Sequence, residues 1–481
     1  MKKIFIIGSG FSSISASTYL AKKGHNVTVF EKNSTVGGRA RQFKKHGFTF
    51  DIGPSWYWMP DVFESYFNDF GKKVSDYYNL EKLNPAYEVY FNTLDSIKIG
   101  DSLEKICAEF ERIETGSSIL LKRFMKKAEK HYEIAVKDMV YKPGISPLEL
   151  VNSKTIVRLK YFFTNIKKEV EKDFKNEKLS QILQFPVLFL GAKPSKTPAF
   201  YNFMNHADFG LGTWHPKKGM YSVIEGMKKL AEEMGVSFET NQSVEKIIVN
   251  RNAASGIVSN GIKKYCDVLI SGADYHHTES LLEKKFRSYD KRYWERKIFA
   301  PSSLLFFVGL DKKIKRVSHH TLFFDVDFDL HATEIYDDPK WPSNPLFYGN
   351  FPSITDSSMA PAGKEACFFL IPIAPGISDS QKTREKYFEI IINRLEKLTN
   401  QSIKDFVLFK ESFCVKDFEK DYNSYKGNAY GLANTLKQTA FLRPKMISKK
   451  VENLYFTGQL TVPGPGVPPS IISGKIVSDL I

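Results

Sequence analysis

The residues best placed for chemistry stand at the two ends of the chain. Near the start, Gly8-Ser9-Gly10-Phe11-Ser12-Ser13 follows an apolar run, Lys3 to Ile7, and leads into a helical pattern. This is the dinucleotide fingerprint G-x-G-x-x-G with Ser13 in place of the third glycine. The first two glycines permit a tight turn and close approach of a pyrophosphate, whose charge the helix N-terminus stabilises. The third is a packing position that a serine is small enough to fill. Glu31 and Lys32 close the following strand, and at roughly 20 residues from the glycines Glu31 can accept hydrogen bonds from ribose hydroxyls. Two glycines alone are weak evidence, but strand, turn, helix, strand and acid in this order point to a dinucleotide. Gly37-Gly38-Arg39-Ala40 then adds adjacent glycines that let the backbone approach a cofactor, and an arginine that brings it a permanent charge.

These residues need a frame. Lys3 to Ile7, Ser12 to Lys23 and Val27 to Glu31 read as strand, helix and strand, with Gly24 as the stop signal. From Ser102 to Phe203 the pattern turns helical and Lys-rich, with breakers such as Pro143, Pro147 and Pro186, and reads as an inserted cap. Tyr221 to Met234 reads as helix, Asn260-Gly261 as a type I′ hairpin turn and Asp267 to Ser271 as strand. Short strands and a helix near Arg384 to Leu398 follow, then strand Leu454 to Thr457, a glycine loop and helix Pro468 to Leu480. The expected fold class is α/β. A Rossmann-like dinucleotide-binding domain spans residues 1–100, 220–298 and 440–481, a mostly helical, membrane-facing insertion 102–210, and a β-rich substrate domain 299–439.

A length of 481 residues suits two or more domains, and 42% hydrophobic residues supply their cores. The 69 Lys+Arg against 54 Asp+Glu leave +15, which favours an anionic partner. The lysines are scattered among acids, with no Arg-rich tail and no recognisable nucleic-acid module, so an anionic membrane surface is favoured over nucleic acid. Cys107, Cys266, Cys367 and Cys414 lie far apart without paired spacing, so no metal site or disulfide framework is expected and a reducing cytoplasm fits. Gly8 and Gly10 interrupt the first apolar run, which argues against a signal peptide. Ser303 to Leu310 and Cys367 to Ile373 fall far short of the ~20 residues a spanning helix needs. A cytoplasmic protein, peripherally associated with a membrane, is the resulting expectation.

Several segments resemble known flavoproteins. Gly37-Gly38-Arg39-Ala40, so soon after Glu31, resembles the G-G-R-[AS] motif of FAD enzymes of the amine oxidase, protoporphyrinogen oxidase and carotenoid desaturase group. Gly53-Pro54-Ser55 resembles that group's loop near the isoalloxazine, Val244 a valine whose backbone holds adenine, and Ser271-Gly272-Ala273-Asp274 a turn closing a later strand. Asn453 to Gln459, then Pro463 to Pro469 and a helix, is similar to the FAD-closing signature of carotenoid desaturases. In that signature Gly458, Gly466 and Val467 bring backbone against the ring system, and the helix starting at about Pro468 turns its positive end to the flavin. Gln459 replaces the group's acidic residue. With Phe50 to Pro60, Ala273 to His277 and Lys426 to Leu432, nearly the whole chain resembles the bacterial-type phytoene desaturases.

That resemblance implies FAD as cofactor and stepwise desaturation of phytoene toward lycopene in carotenoid biosynthesis, a hydride leaving for flavin N5 and a proton leaving the neighbouring carbon. Such chemistry requires no nucleophile, metal or triad, and none stands out. Trp214 to Gly219 resembles a segment over the flavin, and Trp56, Tyr57, Trp58 and Trp214 are candidates for the substrate tunnel. His206, Asp208 and His215 are candidates to take or relay the proton. The implied partners are an apolar C40 polyene, an electron acceptor such as quinone or oxygen, and an anionic membrane. At roughly 0.8 kcal/mol per CH₂, a forty-carbon hydrocarbon costs on the order of 30 kcal/mol to dissolve, so it must pass directly from bilayer to tunnel. Lys122 to Lys130 and Lys160 to Lys178 are candidates for docking. Alternatives are an FAD-dependent carotenoid isomerase, a desaturase of a hydroxylated or C30 carotenoid, and a non-catalytic membrane-associated flavoprotein. An amine oxidase with a flavin-linked cysteine is disfavoured, because the last cysteine, Cys414, lies well before the terminal motif.

Overall fold

The apolar runs at Lys3–Ile7 and Val268–Ser271 are continuous rather than alternating, as strands buried on both faces must be. They pair in parallel at the centre of a five-stranded sheet ordered Leu454–Phe456, Val268–Ser271, Lys3–Ile7, Asn26–Phe30, Ser237–Glu239, with every neighbouring pair parallel. The computed structural model describes residues 1–150 and 160–481, so residues 151–159 of the expected insertion lie outside the described residues. Helix Phe11–Lys22 links the first two strands of the sequence and packs against both Tyr221–Glu233 and the C-terminal helix Val467–Asp479. Ser15 Oγ donates to the Ile471 carbonyl at 2.7 Å, tying the first helix to the last.

A second sheet of seven strands runs Val407–Phe413, Ser302–Leu310, Glu365–Ile373, Phe347–Asn350, His320–Phe323, Tyr87–Asn92, Asp95–Ile99. Its pairs are antiparallel except that His320–Phe323 lies parallel to Tyr87–Asn92. The last two strands correct the boundary expected at residue 100: they belong with the sheet of the later segment. The pairing that makes 87–99 a hairpin is local, whereas its partner, His320–Phe323, lies more than two hundred residues on. A separate meander, Val244–Asn250, Ala253–Ser259 and Ile262–Tyr265, turns at Asn260 and Gly261 with φ of 47° and 75°, as the type I′ signal requires.

Much of the described insertion is helical. Leu103–Ile113, Ile166–Asp173 and Glu177–Gln184 start on Ser102, Asn165 and Asn176, whose side chains accept from backbone N–H groups of the first turn. Between them Ser117–Ile134 continues into a π-turn, Ala135–Met139, one residue wider than an α-turn.

Gly474 lies where the first and last helices meet. A Cβ there would be driven against the Ser12 carbonyl and within 2.6 Å of Ser15 Cβ. Gly474→Ala is therefore expected to lower unfolding free energy by about 1–3 kcal/mol, read by urea denaturation of the flavin-free protein. Unchanged stability would mean that the helices separate without strain.

Candidate functional site

The glycine turn meets the first helix above the C-terminal edge of the parallel sheet. Gly8 has φ of +83°, and a Cβ on Gly10 would meet nothing within 4 Å, because that position faces open space. Gly10 caps the helix without a side chain, which leaves the first-turn N–H groups of Phe11 to Ser13 without side-chain partners there. Ser13 is fully buried, and a Cβ on Gly272 would run into its hydroxyl, so Ser13 fills the packing position expected of it. Glu31 is buried beside the turn. Its carboxylate accepts from Ser9 N–H at 3.0 Å, Ser9 Oγ at 2.7 Å and Asn33 N–H at 2.9 Å. Lys32 lines the same space while its ammonium reaches the Lys420 carbonyl at 2.6 Å.

Gly37 and Gly38 have φ of 113° and 55°, and a Cβ on Gly38 would press on Gly10 Cα at 3.3 Å. This carries the chain past the first turn and delivers Arg39. Its guanidinium donates to Ser424 Oγ at 2.8 Å and to the Asn428 carbonyl at 3.3 Å, and lies over the Tyr422 ring. Burial pulls Arg39 below its ordinary pKa, with Asp274 opposing. It forms no ion pair among the described residues, and its Nε is buried without a partner. At the other end, Gly458, Gly464 and Gly466 have φ of 101°, 135° and 115° and lead into helix Val467–Asp479. Pro468 and Pro469 lack N–H groups, so the first turn presents its dipole with Val467 as its nearest donor. Buried Arg443 holds this loop by donating to the carbonyls of Gln459 at 3.1 Å and Leu432 at 3.0 Å.

These pieces enclose one cavity of about 590 Å³. Gly8, Ser9, Gly10, Phe11, Ser12, Glu31, Gly37, Gly38, Arg39, Gly53, Pro54, Ser55, Val244, Gly272, Gly458, Gln459, Gly466, Val467 and Pro468 all line it. An unpartnered arginine nitrogen, an uncapped helix start and a glycine facing open space fit the phosphates and ring system of FAD. The cavity continues into an apolar arm walled by Phe185, Phe200, Phe203, Phe324, Phe328 and Phe441. Trp56 and Trp58 line it. Tyr57 and Trp214 do not: Tyr57 is buried behind, hydrogen-bonded to Tyr78 at 3.0 Å, and Trp214 donates to the Leu211 carbonyl at 3.0 Å. His206, Asp208 and His215 are likewise absent from the wall. Asp208 is buried against Tyr87 Oη at 2.8 Å, His206 stands near Tyr132, and His215 Nε2 lies 3.2 Å from Asp356.

The wall also contains residues that motif reading missed: Ser303, Tyr336, Tyr348 and Tyr430. Only Tyr430 carried a signal, within the segment Asn428 to Leu432. The others come from strands and a helix of the second sheet and meet the site only through its register.

A family model described as flavin containing amine oxidoreductase matches residues 12–481. The carotenoid 3,4-desaturase of Haloarcula japonica is 39% identical over 483 positions, covering 99% of this chain and 97% of that protein. The 4,4'-diapophytoene desaturase (4,4'-diaponeurosporene-forming) of Staphylococcus haemolyticus is 32% identical, covering 99% and 98%. An oxidoreductase structure from Methanosarcina mazei superposes with a TM-score of 0.65 at 17% identity, covering 99% of this chain and 100% of that one. A putrescine oxidase structure superposes with a TM-score of 0.61 at 14% identity, covering 100% and 98%. At these identities the two structures speak for the fold alone.

Glu31→Gln keeps the shape of the side chain and removes its charge. With charge-assisted hydrogen bonds worth about 1.5–3 kcal/mol, FAD affinity is expected to fall tenfold or more in a flavin fluorescence titration. Wild-type affinity in this variant would remove Glu31 from the ribose site.

Proposed function

The chain belongs to the flavin containing amine oxidoreductase family and, within it, to the carotenoid desaturases, and from that premise we propose that it removes hydrogens stepwise from phytoene toward lycopene. FAD supplies the two-electron acceptor, while the protein's part is to bind, align and dry the polyene. One observation carries the reading: a single cavity joins the phosphate-binding turn at Gly8 to Ser12 with the phenylalanine-walled arm. An aligned polyene in that arm would lie end-on to the ring site bounded by Ser55, Gly458 and Val467. Reoxidation by a quinone or oxygen completes the proposed cycle.

A second reading, desaturation of a hydroxylated carotenoid, has a specific observation behind it. Ser303 is 1% exposed and lines the cavity, and its buried Oγ has no hydrogen-bond partner among the described residues. Tyr336 and Tyr430 line the same wall, and their hydroxyls make no hydrogen bond among the described residues; burial pushes Tyr430 up to about 12. A buried hydroxyl without a partner, as at Ser303, costs about 1–3 kcal/mol, a cost that a substrate oxygen would remove and a plain hydrocarbon would not. The 39% identity to a carotenoid 3,4-desaturase supports action on a carotenoid other than phytoene.

Membrane docking by the insertion belongs to the same proposal. Phe163 and Leu148 are 83% and 75% exposed, and Ile119 and Ile145 also face out. Ile145 and Leu148 lie within the segment whose Lys142, Gly144, Ser146 and Glu149 line the cavity, and Phe163 follows the lining residue Phe162. Exposed Lys122, Lys126 and Lys130 form no ion pair among the described residues, unlike Lys127, which pairs with Glu169. Among the described residues, no helix is long and apolar enough to cross a membrane.

Anaerobic incubation of FAD-loaded protein with phytoene or with a hydroxylated carotenoid in liposomes is expected to bleach the flavin and lengthen the conjugated chromophore. Bleaching by phytoene supports the first reading, bleaching by the hydroxylated polyene alone supports the second, and bleaching by neither overturns both. Charge reversal at Lys122, Lys126 and Lys130 is expected to lower affinity for anionic liposomes, read by sedimentation, roughly a hundredfold or more at about 1 kcal/mol per lysine, and unchanged sedimentation would remove the docking face.

A further inference from the structure

Tyr348 and Ser55 stand on the cavity wall at the ring-site end, joined through their hydroxyls at 2.9 Å. Behind them, His320 Nδ1 lies 2.6 Å from Tyr348 Oη and 3.2 Å from Asn350 Nδ2. Register produces this arrangement: His320 pairs with Asn350 across the sheet, while Tyr348 lies two residues along the same strand. Trp56, itself part of the wall, stacks on the His320 ring at 4.0 Å and 12° and holds it in place. His320 is wholly buried, and its Nε2 has no partner among the described residues. From His320 a line of imidazoles leads away from the cavity. His319 is 4.5 Å from His320 and 4.6 Å from His215 between ring centroids, and His215 reaches the Asp356 carboxylate.

Three adjacent buried imidazoles are costly to desolvate, and cofactor binding does not require them. Removing a hydride from a polyene leaves a cation, which must then lose a proton from the neighbouring carbon. Tyr348 supplies a hydroxyl at the wall and His320 a basic nitrogen directly behind it. Resting on the desaturase reading, we propose that Tyr348 is the catalytic proton acceptor of the reaction and His320 the positioning residue that receives the proton through it.

In the step, the carbon–hydrogen bond breaks and its electron pair becomes the new double bond. The released proton binds Tyr348 Oη as the tyrosine's own proton passes to His320 Nδ1. Bound FAD would supply the two-electron acceptor for the departing hydride, so that two hydrogens and two electrons would leave the substrate and the new positive charge would reside on His320. His319 and His215 stand beyond it, and ionised Asp356 supplies the countercharge. Burial, with the neighbouring histidines, holds His320 and His319 well below their ordinary pKa and therefore neutral before the step. Burial works against ionisation of Asp356, but His215, Ser358 and the Lys218 N–H hold it below the usual carboxylate range.

Tyr348→Phe preserves the ring and its packing against Phe368 and Trp56 while removing the hydroxyl. With FAD-loaded protein and whichever carotenoid bleaches the wild type, desaturation by this variant is expected to fall about 10²-fold or more. FAD content, melting temperature and carotenoid binding, the last read by quenching of tryptophan emission, stay at wild-type values. The wild type shows a solvent deuterium isotope effect on desaturation, which His320→Asn diminishes; a purely structural role for His320 would leave it intact. A Tyr348→Phe rate within twofold of wild type, with wild-type bleaching observed, overturns the relay and leaves the desaturase reading standing. No bleaching of wild type by any carotenoid overturns both.

Discussion

Everything at this site depends on the first helix lying against the last. The glycine turn, Arg39 and the Gly458 to Val467 loop are far apart in sequence, and the cofactor site exists only where they converge. Ser15 and Ile471 bond across that helix pair, and Gly474 allows the approach that a side chain would prevent. The sheet enforces the same closure, since Leu454–Phe456 takes its place beside Val268–Ser271, which pairs in turn with Lys3–Ile7. A parallel sheet gathers the C-terminal ends of its strands on one edge, where a dinucleotide binds. Two helix N-termini are thereby aimed into one cavity, with buried Glu31 and Arg443 holding the turn and the loop that lead into them.

Two of the buried polar atoms that remain unpaired belong to residues of the cavity wall. Arg39 Nε faces the cofactor end and Ser303 Oγ the substrate arm, and each is buried within an otherwise hydrogen-bonded neighbourhood. Unpaired groups of this kind each cost about 1–3 kcal/mol in the free protein. Two extensive apolar cores offset that cost: one that takes in Ile4, Ile6, Val27 and Val29 of the parallel sheet and one built on Phe306, Phe347, Phe351, Phe369 and Phe388.

Sequence revealed those parts of the site that a backbone shape demands. Glycines at Gly8, Gly37 and Gly466 adopt positive φ because no other residue does so readily, and such requirements leave fixed spacings in the chain. The acid at Glu31 and the helix start at Phe11 are legible for the same reason. Strand register leaves no comparable mark. Tyr348, His320 and Ser303 acquire their places from pairings between segments tens of residues apart, and residues 87–99 join the second sheet through a partner near residue 320. Aromatic triplets are ambiguous in another way: Trp56 and Trp58 face the cavity, while Tyr57 between them turns into the core against Phe63.

The same physics explains why the acid with the most obvious promise in the sequence stands away from the wall. Asp208 is fully enclosed, and burial drives its pKa well above the ordinary carboxylate range, with the Tyr87 hydroxyl only partly opposing this. An isolated carboxylate in a polyene-sized apolar cavity would meet the same fate, becoming protonated and losing its use as a base. A phenol backed by a neutral imidazole carries no charge at rest, so it can sit in such a wall without that penalty. Weak basicity is no handicap, because a polyene cation is itself a strong acid. The countercharge can then stand two rings away at Asp356, where backbone and serine donors keep the carboxylate ionised.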